Sequence, residues 1–259
     1  MILLDPLARP VIGHRGNRIA SPENTIHSML EAVALGVDAL EFDLHVSSDD
    51  VLMVMHDPTL SRTTNGQGAV SAHTAATLKA LDAGACFTAD GGRTYPYRGH
   101  GIGVPSFDDV VDAMPSTLPL IIELKTLRAT PLIRDAVRRH GIAKRVIVAG
   151  FDAAAVRPLR GEGFALGAAT ADVAALLLPA ITGRRVQALP YEALCIPPTH
   201  RGIPLPIGAI ARSVRSSGTV MHLWTINSAP HALRLWKAGV QGIISDDPAT
   251  IMSARSRAR

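Results

Sequence analysis

The feature of this sequence that most restricts its fold is a repeated alternation. A short apolar run rich in β-branched residues is followed by a turn and then by apolar residues at helical spacing. The runs that predict strands are Val11–Gly13, Val37–Asp43, Leu120–Leu124, Val146–Ala149, Ala165–Ala169, Ala193–Ile196, Val220–Thr225 and Gly242–Ser245. Helical spacing follows most of them, as in Ile26–Leu35, Pro131–His140, Ala153–Gly161, Ala232–Ala238 and Pro248–Ser253. This alternation is typical of βαβ units and a parallel sheet.

The number of predicted strands favours one arrangement of that sheet. Eight strands in 259 residues predict an α/β fold, a single (β/α)8 TIM barrel over residues 1–259, with an open doubly wound sheet as the alternative. After the second strand, Asp49–Asp50 predicts a turn and Val51–Met55 an extra strand. Residues 57–105 then form a long polar segment in which only Thr74–Leu81 has helical spacing. We expect a small inserted subdomain there, and a functional role for it.

Composition excludes several classes of protein. No apolar run reaches the roughly 18 residues of a membrane helix, and the first ten residues lack the basic start of a signal peptide. We therefore expect a cytoplasmic protein with no integral membrane segment. Two distant cysteines, Cys86 and Cys195, exclude a disulfide framework and a cysteine-rich zinc site. Aromatic residues make up only 4%, so nucleic acid is not an expected partner; the net charge of +4 suits a small anionic substrate. The oligomeric state stays open.

Acidic residues lie where barrel strands end, which is where barrel enzymes have their active sites. Glu41 and Asp43 are two residues apart, so their side chains point to the same face of the second strand, and Glu123 lies at the corresponding level of the third. Burying like charges is costly unless something neutralises them. Oxygen ligands predict a divalent cation, Mg²⁺ or Ca²⁺, and pairing with arginine is the alternative. His45 continues the same face and is an alternative fourth ligand, but hard cations prefer oxygen, so it is predicted to lie at the rim or behind the ligands.

Two histidines and two basic residues complete this set. His14 ends the first strand, and the predicted hairpin brings His56 to the same mouth, roughly opposite Glu41. Imidazole titrates near neutral pH, so the pair can act as general acid and general base. Arg15 and Lys125 add positive charge suited to phosphate. Together these residues predict a site for phosphoryl transfer.

These residues resemble the glycerophosphodiester phosphodiesterase family. The motifs that carry the resemblance, in the family's order over nearly the whole chain, are His14-Arg-Gly16, Pro22-Glu-Asn-Thr25, Gly36-Val-Asp38, Glu41-Phe-Asp43, His56-Asp57, Leu60-Ser-Arg-Thr-Thr-Asn-Gly66, Glu123-Leu-Lys125, Trp224-Thr-Ile-Asn227 and Gly239-Val-Gln-Gly-Ile-Ile-Ser-Asp246. The resemblance implies a TIM barrel with an inserted subdomain at 57–105. It also implies hydrolysis of glycerophosphodiesters to glycerol 3-phosphate and an alcohol with a divalent cation. One departure is Ser47-Ser-Asp-Asp50, where the family usually has Thr-x-Asp-Gly, which leaves the tightness of that turn open.

The resemblance also implies roles for individual residues. The acid–base pair would be His14 and His56, the metal ligands Glu41, Asp43 and Glu123, the phosphate contacts Arg15 and Lys125, and a wall of the glycerol pocket Trp224. The mechanism that follows is attack by the glycerol 2-hydroxyl on phosphorus to give a cyclic phosphate, with one histidine as base and the other as acid. Either histidine can act first as base, and direct attack by water is the alternative.

Two other functions compete with this interpretation. The same site could act on lysophospholipids, as a lysophospholipase D or a sphingomyelinase D-like enzyme. That activity requires an apolar surface for an acyl chain, which the polar insertion does not obviously provide. The chain could instead be a non-catalytic phosphate-binding barrel, but such relatives normally lack a histidine or a carboxylate, and none is missing here.

Overall fold

A ring of parallel strands forms the centre of the molecule. The computed structural model describes residues 1–257, so the last two residues of the domain predicted over 1–259 lie outside the described range. The strands are β1 (Val11–His14), β2 (Ala39–Val46), β3 (Leu52–Val54), β4 (Leu120–Leu124), β5 (Val146–Ala149), β6 (Ala165–Leu166), β7 (Ala193–Ile196), β8 (Thr199–His200), β9 (Ile203–Pro204), β10 (Val220–Leu223) and β11 (Gly242–Ser245). Parallel pairing runs in the order β6, β5, β4, β2, β1, β11, β10, β7. A further parallel bridge between Gly167 and Ala193 joins β6 to β7 and closes the ring. The predicted TIM barrel is confirmed.

Helices between the strands cover the outside of the ring. They are α1 (Ile26–Leu35), α2 (Ala75–Lys79), α3 (Phe107–Ala113), α4 (Ala129–His140), α5 (Ala153–Val156), α6 (Thr170–Ile181), α7 (Ile207–Val214), α8 (Ala229–Lys237) and α9 (Pro248–Arg257). Their ends follow local chemistry, as α1 shows. The Thr25 hydroxyl accepts the Ser28 N–H at 3.1 Å, and Gly36 ends the helix with φ 88°.

Apolar side chains fill the inside of the barrel. One side chain from each strand of the ring contributes to this layer: Ile12, Ala39, Ile121, Ile147, Ala165, Ala193, Val220 and Ile244. Leu3, from a short 3₁₀ helix at Ile2–Leu4, joins the same cluster and is fully buried. The interior is therefore a packed core rather than a pore, which leaves the strand ends as the place for a site.

Strand β2 differs from its predicted range at both ends. Val37 and Asp38 precede it in a turn, where an Asp38 carboxylate oxygen accepts the Val11 N–H at 2.7 Å. At the other end β2 continues to Val46, because β3 pairs with it in antiparallel register, with Val46 opposite Leu52. The turn between them is tight, since Asp50 adopts φ 59°. Aspartate tolerates this left-handed conformation, so it can replace the family's glycine there.

Residues 57–105 contain little regular structure beyond α2 and a short 3₁₀ turn at Val70–Ala72. They are held by a small apolar cluster that includes Leu60, Val70, Leu78 and Val104 and also Met53 of β3. The segment is therefore anchored to the hairpin that follows β2, next to the carboxyl ends of the first strands. No helix within the described part of the chain is long and apolar enough to cross a membrane.

Candidate active site

The side chains predicted to form the site meet at the carboxyl end of the barrel. Strand β1 carries His14 with Arg15 directly after it, and Glu41 and Asp43 lie on β2. One pocket is lined by seven of the eight predicted residues, namely His14, Arg15, Glu41, His56, Glu123, Lys125 and Trp224. Asp43 lies behind this wall with 1% of its side chain exposed.

The three predicted metal ligands converge. Strands β2 and β4 pair in parallel with Asp43 opposite Glu123, and Glu41 lies two residues before Asp43 on the same face of β2. One carboxylate oxygen from each of the three lies within 4.8 Å of the others. Glu41 is 5% exposed, and its Oε2 has no hydrogen-bond partner. Burial, followed by the charges of Asp43 and Glu123, raises the pKa of Glu41 well above its usual value.

Two basic side chains neutralise part of this charge. Arg15 Nε lies 3.0 Å from Asp43 Oδ2 and Lys125 Nζ lies 2.9 Å from Asp43 Oδ1, and Lys125 also contacts Glu123. Burial acts to raise the pKa of Asp43, but Lys125 and Arg15 outweigh it and lower that pKa. Arginine pairing, the alternative to a metal, thus accounts for Asp43 but leaves the buried Glu41 oxygen without a partner.

This donor set fits a hard divalent cation. All three groups present carboxylate oxygens, which Mg²⁺ and Ca²⁺ prefer, and no thiolate or imidazole joins their cluster in the described residues. His45, predicted at the rim or behind the ligands, lies outside the cluster, and its Nε2 bonds the His56 carbonyl oxygen at 3.1 Å. The uncompensated oxygen of Glu41 is the feature that a bound cation would satisfy.

Each predicted catalytic histidine is held by an aspartate that belongs to a motif quoted above but had no predicted role. His14 Nδ1 lies 2.6 Å from Asp246 Oδ1, and His56 Nδ1 lies 2.6 Å from Asp57 Oδ1. A carboxylate accepts from a protonated Nδ1, so Nε2 of each ring is left as the acid or base. His14 Nε2 lies 3.8 Å from Glu41 Oε2. Asp57 directly follows His56 in the sequence, which could have indicated its role. Asp246 is far from His14 in the sequence, and only the fold brings the two together.

The Pro22-Glu-Asn-Thr25 motif supports the basic side of the site. Glu23 Oε1 accepts from Arg15 Nη1 at 2.8 Å, and the same carboxylate also bonds Arg18 and Arg62. Burial acts to raise the pKa of Glu23, but these guanidinium groups lower it far below its usual value. Asn24 donates to Asp43 Oδ2 at 2.9 Å. The motif therefore orients both Arg15 and Asp43.

The opposite wall of the pocket is aromatic. Trp224 donates from Nε1 to the carbonyl oxygen of Cys195 at 3.0 Å, and its ring meets Phe151 edge-on at 5.8 Å between centroids. Cys195 packs, partly buried, against the apolar core of the barrel and also lines the pocket. Burial raises the pKa of its thiol far above the usual value, so Cys195 does not supply a thiolate nucleophile.

A closed parallel barrel with acids, bases and cations gathered at the carboxyl ends of its strands is the architecture of TIM-barrel enzymes. A model of the Glycerophosphoryl diester phosphodiesterase family matches residues 14–250. The chain therefore belongs to that family and is an enzyme of the phosphodiesterase class. Its predicted family and enzyme class are confirmed.

Relatives and solved structures agree with this assignment. A glycerophosphodiester phosphodiesterase of Caldanaerobacter subterraneus subsp. tengcongensis is 31% identical over 249 residues, covering 94% of this chain and 96% of that protein. One from Bacillus subtilis is 28% identical, covering 95% of this chain and 86% of that protein. The fold matches that of a glycerophosphoryl diester phosphodiesterase domain from Mycobacterium tuberculosis with a TM-score of 0.83, at 23% identity, covering 96% and 99% of the two chains. An Oleispira antarctica phosphodiesterase in complex with sn-glycerol-3-phosphate gives a TM-score of 0.77, at 23% identity, covering 96% and 97%.

Proposed function

We propose that this chain hydrolyses glycerophosphodiesters to glycerol 3-phosphate and an alcohol, with a divalent cation and two acid–base histidines. One observation carries the proposal: two aspartate-held histidines line the same pocket as Glu41 and Glu123, which converge with the buried Asp43. The family supports it, as do the names of the relatives and the glycerol 3-phosphate bound to the Oleispira antarctica enzyme. The cytoplasmic location and the inserted subdomain at 57–105 stay predictions.

The residues divide the work by their chemistry. Glu41, Asp43 and Glu123 would hold the cation, which would supply Lewis-acid polarisation of the phosphate. Arg15 and Lys125 present positive charge to the phosphate. Trp224 offers an apolar wall to the carbon skeleton of glycerol.

His14 and His56 move the protons. One accepts the proton of the glycerol 2-hydroxyl as its oxygen attacks phosphorus, and the other donates a proton to the leaving alcohol. The product of this step is a cyclic phosphate, which water opens with the two roles exchanged. Both imidazoles have Nδ1 engaged by a carboxylate, so each exchanges its proton at Nε2. The pKa of His56 is lowered by burial, which favours the neutral ring needed in a base.

Hydrolysis assays with and without metal test the proposal. Glycerophosphocholine, glycerophosphoethanolamine and glycerophosphoglycerol should each release glycerol 3-phosphate. A chelator should abolish the reaction, and Mg²⁺ or Ca²⁺ should restore it. Detection of a cyclic phosphate would favour attack by the hydroxyl over direct attack by water. Absence of hydrolysis with either metal would instead support the non-catalytic barrel.

Replacing the histidines tests their roles directly. His14→Ala and His56→Ala should each lower turnover at least ~10²-fold, the usual size of an acid–base contribution. His73→Ala is a suitable control, because that histidine only bonds the Gln67 carbonyl oxygen on the insertion. A His56→Ala enzyme with near-normal turnover would refute the assignment.

A further inference from the structure

A second, apolar pocket adjoins the candidate active site. It lies between α6, which contributes Val173, Ala174 and Leu177, and the segment after β7, which contributes Pro197 and Leu205. Phe151, Ala168 and Cys195 line both pockets, so the two are immediate neighbours. We call this apolar region the side pocket. Sequence reasoning found no apolar surface on the insertion, and the side pocket is built from other parts of the chain.

The wall of the side pocket is mainly apolar and favours an apolar ligand. In the described residues no Asp, Glu, Lys or Arg lines the side pocket, and its polar lining residues are Thr170 and His200. Phe151 lies at the junction of the two pockets with 51% of its surface exposed. A cleft on the other side of the active site is different, because it is lined by Arg18, Glu23 and Arg62. The barrel mouth is therefore bordered by a charged cleft and by the mainly apolar side pocket, and a group attached to the phosphate could enter either one.

A phosphodiester has two groups extending from phosphorus, one on each esterified oxygen. We infer that one of these groups in the preferred substrate carries an apolar chain, which occupies the side pocket while the phosphate lies between Arg15 and Lys125. The inference rests on the proposed function and narrows its substrate class. The chain can be attached to the leaving alcohol or to the glycerol, and the chemistry recognised by the pocket is the same.

The first test varies chain length on the leaving alcohol. The substrates are methyl, butyl and octyl esters of glycerol 3-phosphate, with glycerophosphocholine as the reference. Each methylene that enters the pocket should raise kcat/KM about fourfold, the equivalent of one buried methylene. The second test places a hexanoyl chain on the glycerol instead, in a lysophosphatidylcholine below its micelle concentration, and measures released choline. Whichever test shows a kcat/KM above that of glycerophosphocholine identifies the group that enters the pocket.

A pair of variants ties the effect to the pocket. Ala174→Trp fills the side pocket from α6, and Ala175→Trp puts the same side chain on the next residue, which is exposed and outside the lining. Neither residue belongs to the proposed catalytic set. Ala174→Trp should abolish the dependence on chain length and keep hydrolysis of glycerophosphocholine, and Ala175→Trp should keep both.

Two results would overturn the inference alone. One is normal hydrolysis of glycerophosphocholine with no gain from a chain in either series. The other is a gain that Ala174→Trp leaves unchanged, because the chain would then bind elsewhere. Failure to hydrolyse every diester would have a different meaning, since it would overturn the proposed function and this inference with it.

Discussion

Asp246, which directly follows the last strand of the barrel, contacts His14, one of the two proposed acid–base histidines. Its carboxylate accepts from His14 Nδ1 and from Asn227 and contacts Arg18. Burial acts to raise the pKa of Asp246, but these hydrogen bonds outweigh it and lower the pKa to about 2. The group is therefore ionised at neutral pH and keeps His14 in the tautomer with a free Nε2. Asp246 acts through His14 and is a positioning residue.

Asp246→Asn should lower kcat about 10²-fold and leave KM nearly unchanged. An amide in this place can donate to Nδ1 and so favour the wrong tautomer, while no contact with substrate is removed. Steady-state kinetics on glycerophosphocholine would measure the two constants separately. Asp247→Asn is the matched control, because the Asp247 carboxylate accepts the Thr250 N–H at the start of α9 and does not contact His14. Equal losses in both variants would show that the effect is structural.

A second prediction concerns His222, which should affect stability rather than activity. It is fully buried inside the barrel, and its Nε2 donates to the Leu3 carbonyl oxygen at 2.9 Å. Burial lowers the pKa of His222 to about 4. The unfolded chain therefore binds this proton more readily than the folded one, and the stabilisation is present above about pH 6.5 and lost as pH falls towards 4.

The size of this effect can be measured by denaturant unfolding. From about pH 7.5 to about pH 5, His222 should account for a loss of about 2 kcal/mol in the free energy of unfolding. His222→Gln should be less stable at the higher pH but lose about 2 kcal/mol less over the same interval. His231→Gln serves as a control, since that histidine is only partly buried. Parallel pH profiles for wild type and His222→Gln would contradict the prediction.

At the level of elements, the turn after β1 determines where Arg15 lies. Arg15 has φ 55° and Gly16 has φ 95°. A Cβ at Gly16 would lie 2.6 Å from the carbonyl carbon of Ser28 and 2.3 Å from its Oγ, so α1 leaves no room for a side chain. The close packing of this turn on α1 is what directs Arg15 towards Asp43.

Gly16→Ala should lower the free energy of unfolding by more than about 2 kcal/mol and reduce activity as Arg15 shifts. Gly218→Ala is a matched control, because Gly218 also has a positive φ of 75° but no other group lies within 4 Å of the place where its Cβ would stand. That control should lose only about 1 kcal/mol. Chemical denaturation would compare them, and equal losses would show that conformation, rather than the contact with Ser28, sets the requirement.

Local patterns predicted some elements of this fold and missed others. The two-residue spacing of Glu41 and Asp43 and the strand signal around them were sufficient to place both on one face. Helix α6 was missing from the predicted set, because Val173–Ile181 is apolar and contains Pro179. In the structure that proline lies in the last turn, and the helix ends two residues after it. The side pocket was not predicted either, because α6 forms one of its walls.

The whole molecule explains why the roles and partners of some site residues could not be predicted. Asp246 is separated from His14 by 232 residues, and only closure of the ring through the β1–β11 pair brings them together. Phe151 follows β5 and Cys195 lies on β7, and both line the pocket because of the order in which the strands close the ring. Contacts of this kind follow from topology, not from spacing along the chain.

Cation binding should also affect the stability of the whole barrel. Without a cation, the fold holds Glu41 buried beside two other carboxylates, which opposes folding. A cation that binds the folded state alone adds about 2.7 kcal/mol at one hundred times its dissociation constant. For a chain of this length, Mg²⁺ or Ca²⁺ should therefore raise Tm by about 5–10 °C above its value in chelator.

Glu41→Gln should be at least as stable as the wild type in chelator and less stable than the wild type when the cation is present. In chelator, the variant should melt at or above the wild-type Tm, since a buried charge without a partner is removed. With Mg²⁺ or Ca²⁺ its gain in Tm should be much smaller, because one of the three oxygen ligands is weakened. Asp112→Asn, at an exposed carboxylate on the outside of the barrel, should behave like wild type in both conditions. A full cation-induced gain in Glu41→Gln would show that the ion binds elsewhere, and the three carboxylates would then be held together by Arg15 and Lys125 alone.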